Sequence, residues 1–213
     1  MVLEQIRTAG DRNFGYLVAD LASGLAAVVD PSGAPEKFER RMQESGLRLR
    51  WVLATHHHSD HTDGAHELCR RYHAPLALHR LSPMSSQIPL DDGGIVDIGA
   101  LRVRILHTPG HTEDSICLLL PGAVLTGDTL FVGKVGGTDF AEGARRQWHS
   151  LREKLLTLPD ETLVYPGHDV GVRSVSTIGD EKKQNPFLRQ PDFENFVDLK
   201  RNWQAYKAEH GIA

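Results

Sequence analysis

The sequence lacks the hallmarks of several protein classes. Its only two cysteines, Cys69 and Cys117, lie far apart in apolar segments, so we expect small core residues and neither a disulfide framework nor a CxxC metal clip. No apolar run approaches the roughly 20 residues that a membrane-spanning helix needs. Within residues 1–10, Glu4 and Arg7 stand where a signal peptide would be apolar. We therefore expect no membrane partner and a cytoplasmic location.

Excess positive charge is also missing. The 213 residues include 24 basic and 28 acidic side chains, which gives a net charge of −4 with no basic block. Binding to nucleic acid depends on rows of lysine and arginine that neutralise phosphates, so we expect no nucleic-acid partner. A composition of 40% hydrophobic and 24% charged residues is that of an ordinary globular protein with one sizeable core.

Extended and helical patterns alternate along the chain in two strand-rich halves. Short apolar runs predict strands at 16–19, 25–29, 50–54, 75–78, 95–98, 101–106, 116–120, 123–125 and 163–165. Helical spacing of apolar residues predicts helices at 31–46, 64–72, 148–158 and, as a C-terminal helix, about 193–208. Two strand-rich halves with helices outside predict a single α/β domain over 1–213, an αββα four-layer sandwich with active-site loops along one edge.

Histidines are concentrated in one segment directly after a predicted strand. Residues 55–61 read Thr-His-His-His-Ser-Asp-His. In an extended segment, positions two apart point the same way, so His56 and His58 can bind one ion while His57 faces away. Asp60 and His61 lie past the bend and can reach a second ion. Imidazole and carboxylate ligands suit zinc, iron or manganese.

Three further candidate ligands follow later predicted strands. His111 lies in the tight turn Thr-Pro-Gly-His-Thr, and Asp128 lies in Thr-Gly-Asp-Thr, where Gly127 permits close backbone approach. His168 lies in Pro-Gly-His-Asp at the end of the last strand. Together with the histidine segment these residues predict a centre for two metal ions.

Two ions about 3.5–4 Å apart can share a hydroxide that is nucleophilic near neutral pH, while one ion polarises the substrate oxygen. We assign His56, His58 and His111 to the first ion, Asp60, His61 and His168 to the second, and Asp128 to the bridge. We also expect Asp60 to act as a catalytic residue that takes the proton of the attacking water or passes it to the leaving group. Asp30, which ends a predicted strand, is interpreted as an orienter of the histidine loop.

The order and spacing of these ligands resemble the metallo-β-lactamase superfamily over about 13–186. The resemblance implies the αββα sandwich and the ligand set given above. Segments 55–64 and 126–133 are similar to glyoxalase II, which hydrolyses glutathione thioesters. Segments 137–140, 158–169, 176–178 and 185–188 are similar to the persulfide dioxygenases, which implies instead one Fe(II) held by His56, His111 and Asp128.

We therefore predict a metal-dependent hydrolase that uses a metal-bound hydroxide on a thioester, with a mononuclear Fe(II) persulfide dioxygenase as the alternative. Cleavage of RNA is disfavoured by the acidic composition. Relatives that use glutathione carry arginine or lysine where this chain has Gly137, so we expect their clamp on the glutathione carboxylate to be absent. Lys134 is either its replacement, contacting an acyl-thioester or glutathione-type substrate, or an ordinary solvated surface lysine. Trp203 and Tyr206 of the terminal helix either cover the core or contact a second copy in a homodimer.

Overall fold

Two six-stranded sheets face each other in the computed structural model, which describes residues 1–8, 10 and 12–212. The first sheet contains, in spatial order, β1 (Val2–Arg7), β2 (Phe14–Asp20), β3 (Leu25–Val29), β4 (Arg48–Leu53), β5 (Leu76–His79) and β6 (Ile88–Leu90). Strands β1 to β3 pair antiparallel, whereas β3 to β6 pair parallel. The strands predicted at 16–19 and 25–29 are confirmed as β2 and β3, which form an antiparallel hairpin.

The second sheet runs in the spatial order β14, β13, β10, β9, β8, β7. Its strands are β7 (Ile95–Ile98), β8 (Leu101–His107), β9 (Ile116–Leu120), β10 (Ala123–Gly127), β13 (Leu163–Pro166) and β14 (Ser176–Thr177). Within this sheet the pair β10 and β13 is parallel, and the other four pairs are antiparallel. A small ribbon of β11 (Leu130–Phe131) and β12 (Lys134–Val135) follows β10.

Side-chain alternation explains why each sheet is covered on both faces. In β2, Tyr16 and Val18 join the cluster between the sheets, whereas Leu17 and Ala19 join a cluster under the helices. Successive residues of a strand point to opposite faces, so a strand whose neighbours are all apolar must be covered twice. The sequence of β2 therefore places it in the interior of a layered structure.

Helices form the two outer layers. Those over the first sheet are α1 (Pro35–Glu44) and α3 (Ala65–Tyr72), and the short α2 (Ser59–Thr62) lies within the histidine segment. Those over the second sheet are α4 (Glu142–Ser150), α5 (Ile178–Gln184), α6 (Phe193–Arg201) and α7 (Trp203–His210). The predicted αββα order of layers is confirmed. No helix in the described part of the chain is long and apolar enough to cross a membrane.

Two predicted helices differ from the observed ones. The helix predicted at 148–158 begins earlier, at Glu142, and continues as a π-helical turn over Leu151–Leu155. The helix expected over about 193–208 is two helices, α6 and α7, which meet at Asn202. Asn202 leaves the helical backbone angles, with φ of −101° and ψ of 16°, and its side-chain amide donates to the carbonyl of Asp198 at 2.9 Å.

Candidate metal centre

Every predicted ligand lies in a segment that follows a strand at the same edge of the sandwich, and Asp60 and His61 lie in the short helix α2 within such a segment. The histidine segment follows β4, and His111, Asp128 and His168 follow β8, β10 and β13. Backbone hydrogen bonds join the two sheets at this edge, from Ile116 N to Thr55 O at 2.8 Å and from Phe14 N to Gly167 O at 2.9 Å. Loops from both sheets therefore meet across the sandwich.

Three histidines form the first group of donor atoms. His58 Nδ1 lies 3.0 Å from His56 Nε2 and 3.0 Å from His111 Nε2. The nitrogen atoms of all three residues fall within 4.8 Å of one another. The opposite nitrogen of His111, Nδ1, is 2.7 Å from the carbonyl of Gly137, which can only accept a hydrogen bond. His111 Nδ1 therefore carries the proton, and its Nε2 lone pair faces the other two rings.

A second group contains Asp60, His61 and His168. His61 Nε2 and His168 Nε2 are 3.2 Å apart, and Asp60 Oδ2 lies 3.4 Å from His168 Nε2. Half of the Asp60 side chain is exposed, at 52%, whereas His61 is completely buried. Asn13 holds the Asp60 carboxylate in place by donating to Oδ2 at 3.1 Å. Asp60 is thus the member of this group that solvent and substrate can reach.

Asp128 lies between the two groups. Its Oδ1 is 3.3 Å from His61 Nε2, and its Oδ2 is 3.6 Å from His111 Nε2 and 3.4 Å from His168 Nε2. Burial alone would raise the pKa of Asp128, but contacts with His168 and His61 outweigh it and hold the pKa well below its ordinary value. This carboxylate therefore carries negative charge between the two histidine groups.

The arrangement fits metal ions. Asp128 Oδ1 is buried without a hydrogen-bond partner among the described residues, which is costly unless another group compensates it. Converging imidazole lone pairs repel each other unless a cation lies between them. A donor set of nitrogen and carboxylate oxygen with no thiolate is typical of zinc, iron or manganese. The groups His56–His58–His111 and Asp60–His61–His168 are the ones assigned from the sequence to two separate ions.

Asp30 sets the orientation of two of these histidines from behind the site. It is completely buried and accepts from the backbone N–H of Thr55 at 2.7 Å and from Thr55 Oγ1 at 2.8 Å. Its Oδ2 also lies 3.0 Å from His61 Nδ1, which must therefore donate. Because the Thr55 hydroxyl has given its hydrogen to Asp30, it accepts from His56 Nδ1 at 3.1 Å. Both rings are thereby oriented with Nε2 facing the site, where a bound metal ion would take the place of a proton.

The charge of Asp30 also shapes the electrostatics of the centre. Burial lowers the pKa of His61, but Asp30 and Asp128 outweigh it and raise the pKa to about 10. His56 has the opposite shift, because burial and the neighbouring His61 lower its pKa well below the ordinary value. The carboxylates that stabilise positive charge at His61 would also attract a divalent cation.

His57 points away from the centre, as predicted. Its Nδ1 lies 2.7 Å from Oδ1 of the buried Asp114. Gly127 also has the predicted role, because its φ of +47° and the position of Thr55, 2.5 Å from where a Cβ would lie, leave no room for a side chain. Asp114, Asn13 and Thr55 were not assigned a role from the sequence, since only spatial proximity distinguishes them from ordinary loop residues.

Lys134 lies beside the centre and not among its donors. With Gly137, Phe140, Phe187, Lys200 and Trp203 it lines a cavity of about 210 Å³, the lysine pocket. Burial and the nearby Lys207 lower the pKa of Lys134. The pocket adjoins the centre through Gly137, whose carbonyl accepts from His111 and whose Cα faces open space.

Two facing sheets with a histidine and aspartate centre at one edge define a metal-dependent enzyme of the αββα class. The family model of the metallo-β-lactamase superfamily matches residues 10–168. The chain belongs to this superfamily, as its ligand order indicated.

Relatives of two different activities share most of the chain. The human mitochondrial persulfide dioxygenase ETHE1 is 33% identical over 210 residues, covering 95% of this chain and 81% of the relative. A hydroxyacylglutathione hydrolase of Alkalilimnicola ehrlichii is 37% identical over 181 residues, covering 84% and 70%. Among solved structures, ETHE1 from Myxococcus xanthus superposes with a TM-score of 0.87 at 37% identity, covering 95% of this chain and 91% of that one.

Proposed function

We propose that this protein is a hydrolase of acyl thioesters of small thiols, with two divalent metal ions held by the seven predicted ligands. The observation that carries this proposal is the presence of two adjacent and complete donor groups, His56–His58–His111 and Asp60–His61–His168, with Asp128 between them. Two ions in these positions would lower the pKa of a shared water and polarise the carbonyl of a bound acyl group. Zinc, iron and manganese all suit the donors.

The protein's own residues then supply orientation and proton transfer. Asp60 is exposed at the open side of the centre and held by Asn13, so its carboxylate can take the proton of the attacking water. The same carboxylate can return the proton to the sulfur when the carbon–sulfur bond breaks. Asp30 and Thr55 keep the histidine lone pairs directed at the ions. Asp60 is therefore the proposed catalytic residue.

The thiol half of the substrate is assigned to the lysine pocket. Lys134 supplies an ammonium group there for an acidic group of a glutathione-type thiol, in place of a side chain at position 137. The aromatic rings of Phe140, Phe187 and Trp203 supply apolar surface along the same wall. Lys134 is the proposed substrate-binding residue.

A persulfide dioxygenase is the second candidate, favoured by the 33% identity to human ETHE1 over 95% of the chain. In that case one Fe(II) would be held by two histidines and one carboxylate, His56, His111 and Asp128. Asp128 Oδ2 lies 3.6 Å from His111 Nε2, and His56 shares a donor group with each of these two residues. His61 and His168 would then hold no ion.

Metal content and oxygen dependence separate the two candidates. We expect about two metal ions per chain and hydrolysis of S-lactoylglutathione without oxygen. His56→Ala should abolish activity of either kind, whereas His168→Ala should be severe only for a two-metal enzyme. One iron per chain with oxygen consumed on addition of glutathione persulfide would refute the hydrolase and support the dioxygenase.

We further propose that residues 1–213 act as one domain, because α6 and the aromatic side chain of Trp203 on α7 pack on the second sheet's outer cluster. The cytoplasmic location and the absence of a nucleic-acid partner stay predictions from the sequence. A homodimer through Tyr206 and its neighbours is checked by light scattering of the purified protein.

A further inference from the structure

We propose that Lys200 is a positioning residue for His111, acting through a hydrogen-bonded ring that connects the terminal helix α6 to the loop after β12. The expected effect on metal binding rests on the proposed function, whereas the hydrogen-bonded ring is formed by the protein's own groups without a metal ion. Lys200 is distant in sequence from every predicted ligand. Only the packing of α6 against α4 and this loop brings it near the centre.

Three hydrogen bonds close the ring. Lys200 Nζ donates to the carbonyl of Gly136 at 2.8 Å and to Gln147 Oε1 at 2.6 Å. Gln147 Nε2 in turn donates to the same carbonyl of Gly136 at 3.1 Å. Gln147 is completely buried in α4, so its side chain has no alternative partner in solvent. The Gly136 carbonyl is thereby held from two helices at once.

The next residue along the loop contacts the candidate ligand. The carbonyl of Gly137 accepts from His111 Nδ1 at 2.7 Å and so selects the form of the ring with a free Nε2. Gly136 packs directly against the centre, because a Cβ at this position would lie 1.8 Å from Asp128 O and 3.4 Å from His111 Nδ1. A shift of the Gly136 carbonyl therefore moves the acceptor that orients His111.

The backbone on the other side of His111 is fixed by the same helix. Gly110 lies directly against Gln147, with 2.4 Å between the site of a Cβ and Gln147 Cβ. Ser150, one turn further along α4, donates to the carbonyl of Pro109 at 2.8 Å. Since α4 fixes the turn that presents His111, the imidazole of His111 is free only to rotate, and the Gly137 carbonyl controls that rotation.

The chemistry of Lys200 suits this role better than a packing role. Its stem lies on α6 with Nζ 5.3 Å from the centre of the Phe196 ring, and both of its acceptors are neutral. Burial and the nearby Lys134 lower its pKa to about 7. A neutral amine still has two N–H donors, which match the two acceptors, so the hydrogen bonds of Lys200 persist in either protonation state. An apolar side chain would fill the same space without the cost of desolvating an amine.

The test compares Lys200→Met with a control, Lys207→Met, which removes a lysine from α7 outside the hydrogen-bonded ring. In metal-free protein labelled with ¹⁵N-histidine, we expect wild type and Lys207→Met to show His111 protonated at Nδ1. Lys200→Met should show a mixture of the two ring forms. In chelator competition with zinc, Lys200→Met should bind about tenfold more weakly, the lower end for loss of an outer partner of a metal ligand.

Gln147→Glu is the second variant, because it keeps an acceptor for Lys200 and replaces the donor to Gly136 by a carboxylate oxygen. It should shift the His111 ring forms in the same direction by a smaller amount, which keeps the inference testable if Lys200→Met fails to fold. A wild-type His111 spectrum together with unchanged zinc affinity in Lys200→Met would overturn the inference. Absence of metal binding in wild type would refute the proposed function, while the spectra of metal-free protein would still decide the role of Lys200.

Discussion

Asp30→Asn offers the sharpest test of how the centre is built. The substitution preserves size but replaces one carboxylate oxygen by an amide NH₂ group. In the protein, Asp30 accepts three hydrogen bonds, two from Thr55 and one from His61, all completely buried. An asparagine keeps one acceptor for the Thr55 backbone, but its NH₂ group then faces the Thr55 hydroxyl and His61 Nδ1, which both donate.

The structure gives the magnitude of the loss. Each buried donor left without an acceptor costs about 1–3 kcal/mol, so two donors predict about 2–6 kcal/mol of lost stability. His61 can avoid an unpaired donor at Nδ1 only by moving its proton to Nε2, the nitrogen that faces the site. His56 is also affected, because its Nδ1 is held by the Thr55 hydroxyl that Asp30 orients. We therefore expect metal affinity to fall by about 10–100-fold. Urea unfolding measures the first effect, and chelator competition measures the second.

Asp114→Asn is the matched control. Asp114 is also a buried aspartate that accepts from a histidine, His57, at 2.7 Å, but this histidine points away from the centre. The control should lose stability by about 1–3 kcal/mol and keep its full metal affinity. If Asp30→Asn retained wild-type metal affinity, or if both variants lost it equally, the idea that Asp30 fixes the ligand rings would be refuted.

Three further predictions concern the lysine pocket, the titration of the centre and the cysteines. Lys134→Met should raise KM for S-lactoylglutathione about tenfold, as expected for one lost charged contact, and leave kcat unchanged. Steady-state kinetics measure both constants, with the surface variant Lys183→Met as the control. A fall in kcat with KM unchanged would contradict a substrate-binding role for Lys134. Because the folded pKa of His61 is raised from 6.5 to about 10, the contribution of this group to the stability of metal-free protein should be fully present below pH 6.5 and be lost as pH rises towards 10. Urea unfolding at each pH measures this loss, and stability that did not fall between pH 6.5 and 10 would contradict the shift. Burial raises the pKa of Cys117 to about 11, so native protein at pH 8 should leave this thiol unmodified by iodoacetamide, and rapid alkylation seen by mass spectrometry would contradict its burial.

Local patterns in the sequence were sufficient for the layers and for the candidate ligands. The alternation in β2 and the helical spacing of Phe38 and Met42 in α1 depend on neighbours within a few residues, so they can be read without tertiary information. Element ends were predicted less accurately. At Asn202 the backbone leaves helical angles, but the helical spacing of apolar residues continues from Phe196 to Trp203, so spacing alone does not show the break.

What the sequence by itself determined is which chemistry is available: imidazoles and carboxylates placed directly after strands, with turns that present them. Only the tertiary structure decided how these groups are oriented, because the residues that orient them come from distant segments. Asp30 reaches His61 across 31 positions, and Lys200 reaches Gly136 across 64. The position of Asp30 after a strand indicated its role, but its partners Thr55 and His61 follow only from the packing. Lys200 left no such signal, since a lysine on a helix surface is chemically ordinary until packing buries it.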